Sequence, residues 1–544
     1  MILAWLACAE EAPAPTDDTC ADVGTWELDH QGFFRTWCTG CHAATVPVEL
    51  RQGAPLGVDF DTLEGVRSWR DPVAALAEMD APTMPPAGGP DADQWDRLAA
   101  WLDCGLPGED LVAVDPCDQA VDVAGGVTWS TVDDAAACGA GCRVEGDLTL
   151  GEAVGSVNLC AVTGDLTVEN GGAAPLLGEV GGTLALSGGD LAWLAPELTS
   201  AGAVVVLGGG EVDLSGLATV AGSVEVGPAP DLHTVRLDRL ATVGGDLAIV
   251  ATGLTALEHL PSLVAIGGNL RVADNEALAV IASVGELEHA GGDVVLEGND
   301  ALETMSAFLR LTSVEGDLVI SGSPSLTSIV GLGDVQTVGG DLLLSGLNSL
   351  TAMDALQDLT SVGGEFAIVG LVALSSAHTF EDLVSVGDLK VEGALEMPLL
   401  VGFDALTTAG SIRFLGLTKV QQISGFSELT YVQGDVELRD LRRLDGLEEA
   451  FPVLTDVGGA LTMEALDEAV DLAVWSSLTS VGGTLTVREN ETLADVTALW
   501  DLSHVGGDVI VEGNPALASA DVDAWCSALT SVVVGEWLAS ENGT

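Results

Sequence analysis

The residues best placed to do chemistry are Cys38, Cys41 and His42, in the run Cys38-Thr39-Gly40-Cys41-His42. Two thiols three positions apart with a histidine directly after the second fit, in an exported protein, covalent attachment of a c-type haem. The thiols would add across the two haem vinyl groups, and His42 would lie against one face of the iron as proximal ligand. A bare CxxC could equally be a redox disulfide or half of a zinc site. Those readings weaken because no second CxxC lies nearby, no thioredoxin-like βαβ pattern surrounds the run, and a sixth ligand stands downstream.

That ligand is Met84, in Met84-Pro85-Pro86, 42 positions beyond His42 (84 − 42). A Met/His pair raises the iron's reduction potential and fills both axial positions, which suits outer-sphere electron transfer and not peroxidase chemistry. Met79 is the rival. Two prolines after Met84 fix φ and stiffen the loop that would hold its sulfur, so Met84 is preferred. A Met that only packs in a core is the plain alternative.

Three elements would have to position these groups. The segment from Trp26 to Trp37 could form a helix running into the CxxCH. Asp71-Pro72 with Val73, Leu76 and Met79 reads as a short helix with a cap and a proline at its first position. From Asp91 through Trp95, Leu98, Trp101 and Leu102 to Gly105, an Asp cap, helical apolar spacing and a closing Gly predict a third. With these elements, the CxxCH and the Met-Pro-Pro, the region from Cys20 to about Asp110 resembles the small monohaem cytochrome c-like domains of exported bacterial proteins. The resemblance implies that the first and last helices cross and bury the haem edge. Phe33, Phe34, Trp37, Trp95 and Trp101 would supply the large side chains. Cys20 and Cys104 bracket this domain and would meet as a disulfide if those helices pack.

Residues Met1 to Cys8 look like the tail of a bacterial lipoprotein signal, with Leu6-Ala7-Cys8 as a lipobox and Cys8 as the acylated residue. Trp5, the short apolar run and the missing basic region depart from that pattern. Every other apolar run is soon broken by Gly, Asp or Glu, so no other stretch could span a membrane. The expected location is therefore the periplasm or cell surface of a Gram-negative bacterium, on a lipid anchor.

A chain of 544 residues is too long for one core and predicts several domains or a repeat array. Gly is abundant at 68 residues and aromatics are few at 4%, which suits closely stacked coils. Lys plus Arg is 17 against 83 Asp plus Glu, a formal charge of −66, so nucleic acid and anionic lipid surfaces are excluded as partners. A solvated acidic surface that keeps a long protein soluble accounts for the charge.

From Asp147 one pattern recurs: Val-Gly-Gly-Asp-Leu-x-Ile/Val/Leu, often followed by Asn-x-x-Leu. The seventeen units open at Asp147, Asp165, Thr183, Ala203, Ser223, Asp246, Asn269, Asp293, Asp317, Asp341, Glu365, Asp388, Ser411, Asp435, Ala460, Thr484 and Asp508. Their spacing settles at 23 to 25 residues, the mark of a solenoid. Each opener begins an alternating strand, as in Asp317-Leu318-Val319-Ile320. Gly-Gly before it makes a corner that a Cβ would obstruct. Asn275, Asn299, Asn490 and Asn514 stand six positions after their openers, where Asn suits a turn needing φ > 0 and its amide can bond from coil to coil. Leu278, Leu302, Leu493 and Leu517 then point inward. Seventeen coils at about 4.8 Å give a rod on the order of 80 Å long. This pattern is similar to the receptor L-domain and leucine-rich-repeat-like families, which implies a right-handed parallel β-helix with a recognition surface.

Cys142 and Cys160 are separated by the same 18 residues as Asp147 and Asp165, so they are expected to stack and pair. Cys117 would then pair with Cys138, leaving Cys526 as a buried free thiol beside Trp525 and Trp537. Polysaccharide cleavage is not expected, because the coils are poor in Lys and aromatics, and Trp193, Trp475 and Trp500 are isolated. The opener carboxylates could bind Ca²⁺, but each Asp is expected instead to accept hydrogen bonds from the turn before its strand. His233, His259, His289, His378 and His504 share no spacing.

The fold class read here is mainly β: a long right-handed parallel β-helix of about 17 coils, L-domain-like, behind a small all-α cytochrome c-like domain. Residues 1–19 form the signal remnant and linker, 20–110 the haem domain, 111–146 a linker and cap, 147–534 the repeats and 535–544 a tail. The expected function is haem binding and electron transfer, without enzyme activity, by a monomer that meets a redox protein partner. A protein or glycan ligand could bind the solenoid. The alternative is a surface recognition or adhesion lipoprotein whose haem domain is a sensor or relic.

Overall fold

The structure is a computed structural model. It describes residues 120–543 apart from 140, 152–154, 189–191, 283, 285, 354, 376–379, 446 and 448–449. Before these it describes Thr25, Trp26, His30, Phe33, Phe34, Cys38, Phe60, residues 62–70, Val73, residues 92–104, Leu106 and Cys117. The chain divides into two units, Met1–Asp118 and Gln119–Thr544.

In the first unit, the helix expected from Asp91 is present as Ala92–Asp103, and a shorter one spans Leu63–Ser68. Thr62 caps the latter, its hydroxyl accepting from the Gly65 N–H at 3.0 Å. Two arginines satisfy the carbonyls left free at the end of the long helix. Arg70 donates to the Leu102 carbonyl at 2.8 Å and Arg67 to that of Leu106 at 3.4 Å. Trp26, Phe34, Leu63, Val66, Leu98, Trp101 and Leu102 are buried together. Trp37 and most of Asp71–Met79 lie outside the described residues, although Val73 is helical.

The second unit is a mainly β parallel solenoid of about 16 turns. Seventeen openers bound sixteen turns (17 − 1), which corrects the count of coils expected from the sequence. One turn shows the local logic. The strand Thr337–Val338 leads through Gly339-Gly340 and Asp341 into the strand Leu342–Ser345. In the latter strand alternate residues point inward, and Leu342 and Leu344 are fully buried. Gly346, at φ 64°, then turns the chain, after which Leu347, Leu350 and Met353 fill the interior.

Stacking is in register. Leu318 pairs with Leu342, Val319 with Leu343 and Ile320 with Leu344; the next turn brings Phe366, Ala367 and Ile368 opposite the same three. The ladder starts ahead of the first opener, with Val121–Ala124 against Cys142–Glu145 and Val127–Trp129 against Leu148–Leu150. It ends beyond the last, with Trp537–Ser540 against Val509–Glu512.

The cysteines pair differently from expectation. Cys138 is bonded to Cys142, with Cα atoms 4.7 Å apart, so neither Cys142–Cys160 nor Cys117–Cys138 forms. The reason is a bulge. Cys142 lies opposite Leu159 and Arg143 opposite Ala161, which leaves Cys160 unpaired in the ladder although the 18-residue step is kept on both sides of it. Cys104, Cys117 and Cys160 are each in disulfides; Cys20 lies outside the described residues. Cys526 is free, as expected, but half-exposed. Its neighbour Trp525 takes the inward face of the helix Ser519–Leu529 and meets Trp537 edge-on at 5.1 Å.

Candidate functional site

Of the four residues read from the sequence as haem-binding, Cys38 is described, while Cys41, His42 and Met84, with the rival Met79, lie outside the described residues. The Cys38 N–H donates to the Phe34 carbonyl at 2.9 Å, so a helical turn delivers this thiol from the segment that precedes it. It packs, half-buried, against the aromatic cluster of the first unit. Burial pushes the thiol up to about 12, because a thiolate would lose its hydration there.

Around it, Phe33 meets Trp95 edge-on at 5.6 Å. Trp101 is stacked by His30 at 4.5 Å and by Trp26 at 5.9 Å. Trp26 and His30 did not figure among the aromatic residues expected from the sequence; their spacing of four, in a segment read as helical, was the available signal. The Trp26 indole N–H is buried without a hydrogen-bond partner. A thiol on the rim of an aromatic cluster that holds an orphaned donor fits a flat, largely apolar group with an acceptor at its edge.

On the solenoid, the opener carboxylates do something other than cap the preceding turn. Each accepts from the opener one turn later. The Asp293 Oδ1 accepts the Asp317 N–H at 2.9 Å, and Asp317 and Asp341 in turn accept the N–H groups of Asp341 and Glu365, both at 2.7 Å. The Gly-Gly corner is what lets the carboxylate come so close. A Cβ on Gly340 would stand 2.0 Å from the Asp317 Oδ1.

The asparagine ladder forms as expected between coils, fully buried. Asn275 donates through its backbone N–H and its Nδ2 to the Asn299 Oδ1, at 3.1 and 3.2 Å. Asn490 does the same to Asn514 at 3.1 and 3.0 Å. The positive φ expected at Asn belongs instead to the residue before it, Asp274 and Glu489 at 57° and Gly298 and Gly513 at 64° and 62°.

Where Asn is missing, in the middle turns, an aromatic column fills the interior. Phe366, Phe380, Phe403, Phe426, Phe451 and Trp475 follow one another at 4.8, 5.5, 5.1, 4.8 and 5.3 Å. Trp475 is therefore not isolated. The spacing of 23, 23, 25 and 24 residues from Phe380 to Trp475 was the signal for it in the sequence.

Outside, a concave trough of about 580 Å³ runs across five turns between Glu179 and Gly267. His289 and His504, which share no sequence spacing, both fall in the outward column that continues from this trough. His289 Nδ1 is 2.8 Å from the Ser313 Oγ. Among the described residues no group of three or more His, Cys, Asp or Glu is placed to hold a metal ion, and no helix is long and apolar enough to cross a membrane.

No protein-family model matches the chain, and no curated protein matches it. Among solved structures it is similar to a leucine-rich repeat protein from Bacteroides ovatus ATCC 8483, with 10% identity over 64% of this chain and 88% of that one and a TM-score of 0.26. The assignment as a leucine-rich-repeat-like solenoid rests on the ladder and its inward leucines.

Proposed function

We propose that this chain is an exported haem protein that transfers electrons, carrying one covalent haem c on Cys38 and Cys41 with His42 and Met84 as axial ligands. The observation that supports it is the placing of the first CxxCH thiol on the rim of an aromatic cluster containing the unpartnered Trp26 N–H. When bound, such a haem supplies reversible one-electron chemistry at an iron closed on both faces.

The chain's own residues would do the rest. Cys38 and Cys41 tether the group, Phe34 and Trp101 exclude water from its surroundings, and the Trp26 N–H is available to an acceptor. The prolines after Met84 hold its loop. The acidic solenoid, which we read as a right-handed L-domain-like helix, docks a redox protein partner or projects the module from an anchor at Cys8, on the periplasmic or cell-surface side of a Gram-negative envelope.

The decisive experiment is a pyridine haemochrome spectrum together with intact mass, on full chain co-expressed with a haem maturation system. The expected result is one haem per chain, lost in Cys38→Ala/Cys41→Ala. Colourless protein without the added mass ends the redox assignment. A second reading, surface recognition by the solenoid, is favoured by the trough between Glu179 and Gly267.

A further inference from the structure

The trough follows a concave corner shared by five successive turns, with Ser200, Thr219 and Thr242 along one side and Gly202, Gly244 and Gly267 in its floor. A Cβ on these glycines would stand 2.6, 2.1 and 2.2 Å from a carbonyl oxygen of the preceding turn. The floor is therefore bare backbone. Stacking sets a repeat of about 4.8 Å along its length.

Its charge is unlike that of the rest of the chain. In these turns the openers are Thr183, Ala203, Ser223, Asp246 and Asn269, a single carboxylate, whose Oδ1 is already engaged by the Asn269 N–H at 2.7 Å. The next five openers, Asp293, Asp317, Asp341, Glu365 and Asp388, are all acidic. Glu179, at one end, is the charged residue lining the trough. On a molecule of formal charge −66 this is a neutral strip bordered by negative charge.

Its hydroxyls are also unlike their neighbours. One residue earlier in the turn, Thr199, Thr360 and Thr479 donate to carbonyl oxygens of the preceding turn at 2.8, 2.9 and 3.2 Å. Ser200, Thr219 and Thr242 make no side-chain hydrogen bond among the described residues. Their hydroxyls face the trough free to donate and accept.

We propose that this trough binds a neutral polysaccharide chain lying along the solenoid axis. A ligand here must be thin, extended, uncharged and rich in hydroxyls repeated at a few ångströms, and a chain of neutral sugars has each of these properties. Anionic glycans, nucleic acids and anionic lipids are repelled by the surrounding carboxylates. A folded protein partner would require large apolar anchors, which a floor of glycine does not offer. The inference rests on the recognition reading of the solenoid and not on haem attachment, so a colourless chain that binds glycan would remove the redox assignment and leave this one.

The test is native affinity electrophoresis of the full chain through gels holding hydroxyethylcellulose, galactomannan or xyloglucan, with polygalacturonate as the anionic comparison. At least one neutral polymer is expected to retard the chain, and polygalacturonate is not. Thr219→Val/Thr242→Val keeps the β-branched shape and removes two hydroxyls, and should weaken binding about tenfold. Thr360→Val, whose hydroxyl bonds within the solenoid, should bind as the parent does. Ala265→Glu puts into the exposed column a carboxylate of the kind already present at Glu179, and should also weaken binding; it decides the matter if the double variant melts early. Failure of every neutral polymer, equal retardation by polygalacturonate, or parental binding by the folded trough variants overturns the proposal.

Discussion

At the residue scale, close approach governs the repeat more than turn conformation does. Gly340 has ordinary conformational needs but no room, because the Asp317 carboxylate occupies the space its Cβ would take. Gly340→Ala must displace that carboxylate from the Asp341 N–H, and is expected to lower stability by about 2 kcal/mol in urea unfolding. The first unit offers a pH test. Burial raises the Cys38 thiol from 9.0 to about 12, so the folded state holds a proton that the unfolded chain releases first. The stabilising contribution is complete below pH 9.0 and lost as pH rises toward 12. Unfolding of the haem-free chain should therefore become easier across that window, and Cys38→Ala should flatten the slope. The CxxCH chemistry was legible in the sequence from residue type and spacing alone. The Trp26 N–H and the His30–Trp101 stack were not, because burial and a missing hydrogen-bond partner are properties of packing.

At the element scale, the solenoid changes its interior along its length. Asparagine ladders tie the turns at Asn275–Asn299 and at Asn490–Asn514, and the aromatic column from Phe366 to Trp475 fills the turns between them. Phe403, stacked on both Phe380 and Phe426, is the position where this column should be most sensitive. Phe403→Ala is expected to cost about 4 kcal/mol in equilibrium unfolding, more than the same change at an interior position flanked by aliphatic residues. In a solenoid each turn meets only its neighbours, so the loss should appear first as faster hydrogen exchange in the adjoining turns. The strand, the corner and the inward Leu of each turn followed from the periodicity. The residue that takes positive φ did not, since Asn tolerates that conformation well and the sequence pointed to it instead of to the position before it.

For the whole molecule, like charges repeat along the openers, and Asp293, Asp317, Asp341, Glu365 and Asp388 stand on consecutive turns. Two carboxylates about 4.8 Å apart repel by about 0.9 kcal/mol in water of dielectric constant 80. Some of this is offset locally, as where Arg413 reaches Asp388 at 3.1 Å and Glu365 at 3.3 Å. With 17 basic residues against 83 acidic ones most of it is not. Added sodium chloride should therefore raise the thermal midpoint of the solenoid, most steeply below about 0.15 M where screening is still incomplete. A midpoint that is flat or falls with salt would mean that the ion pairs, and not the repulsion, dominate.

The sequence by itself determined the repeat, its length, the strand in each turn and the inward leucines, because a period of 23 to 25 residues with alternating hydrophobicity leaves a chain few ways to bury its apolar face. It also set the redox chemistry available to the CxxCH. Only the tertiary structure decided which atoms meet across turns. The bulge that takes Cys160 out of line with Cys142, the carboxylate that reaches the next opener and the five turns that leave a neutral trough all depend on stacking register. One residue of register shift moves a side chain from one neighbour to another, and such a shift leaves no mark on the spacing of a motif.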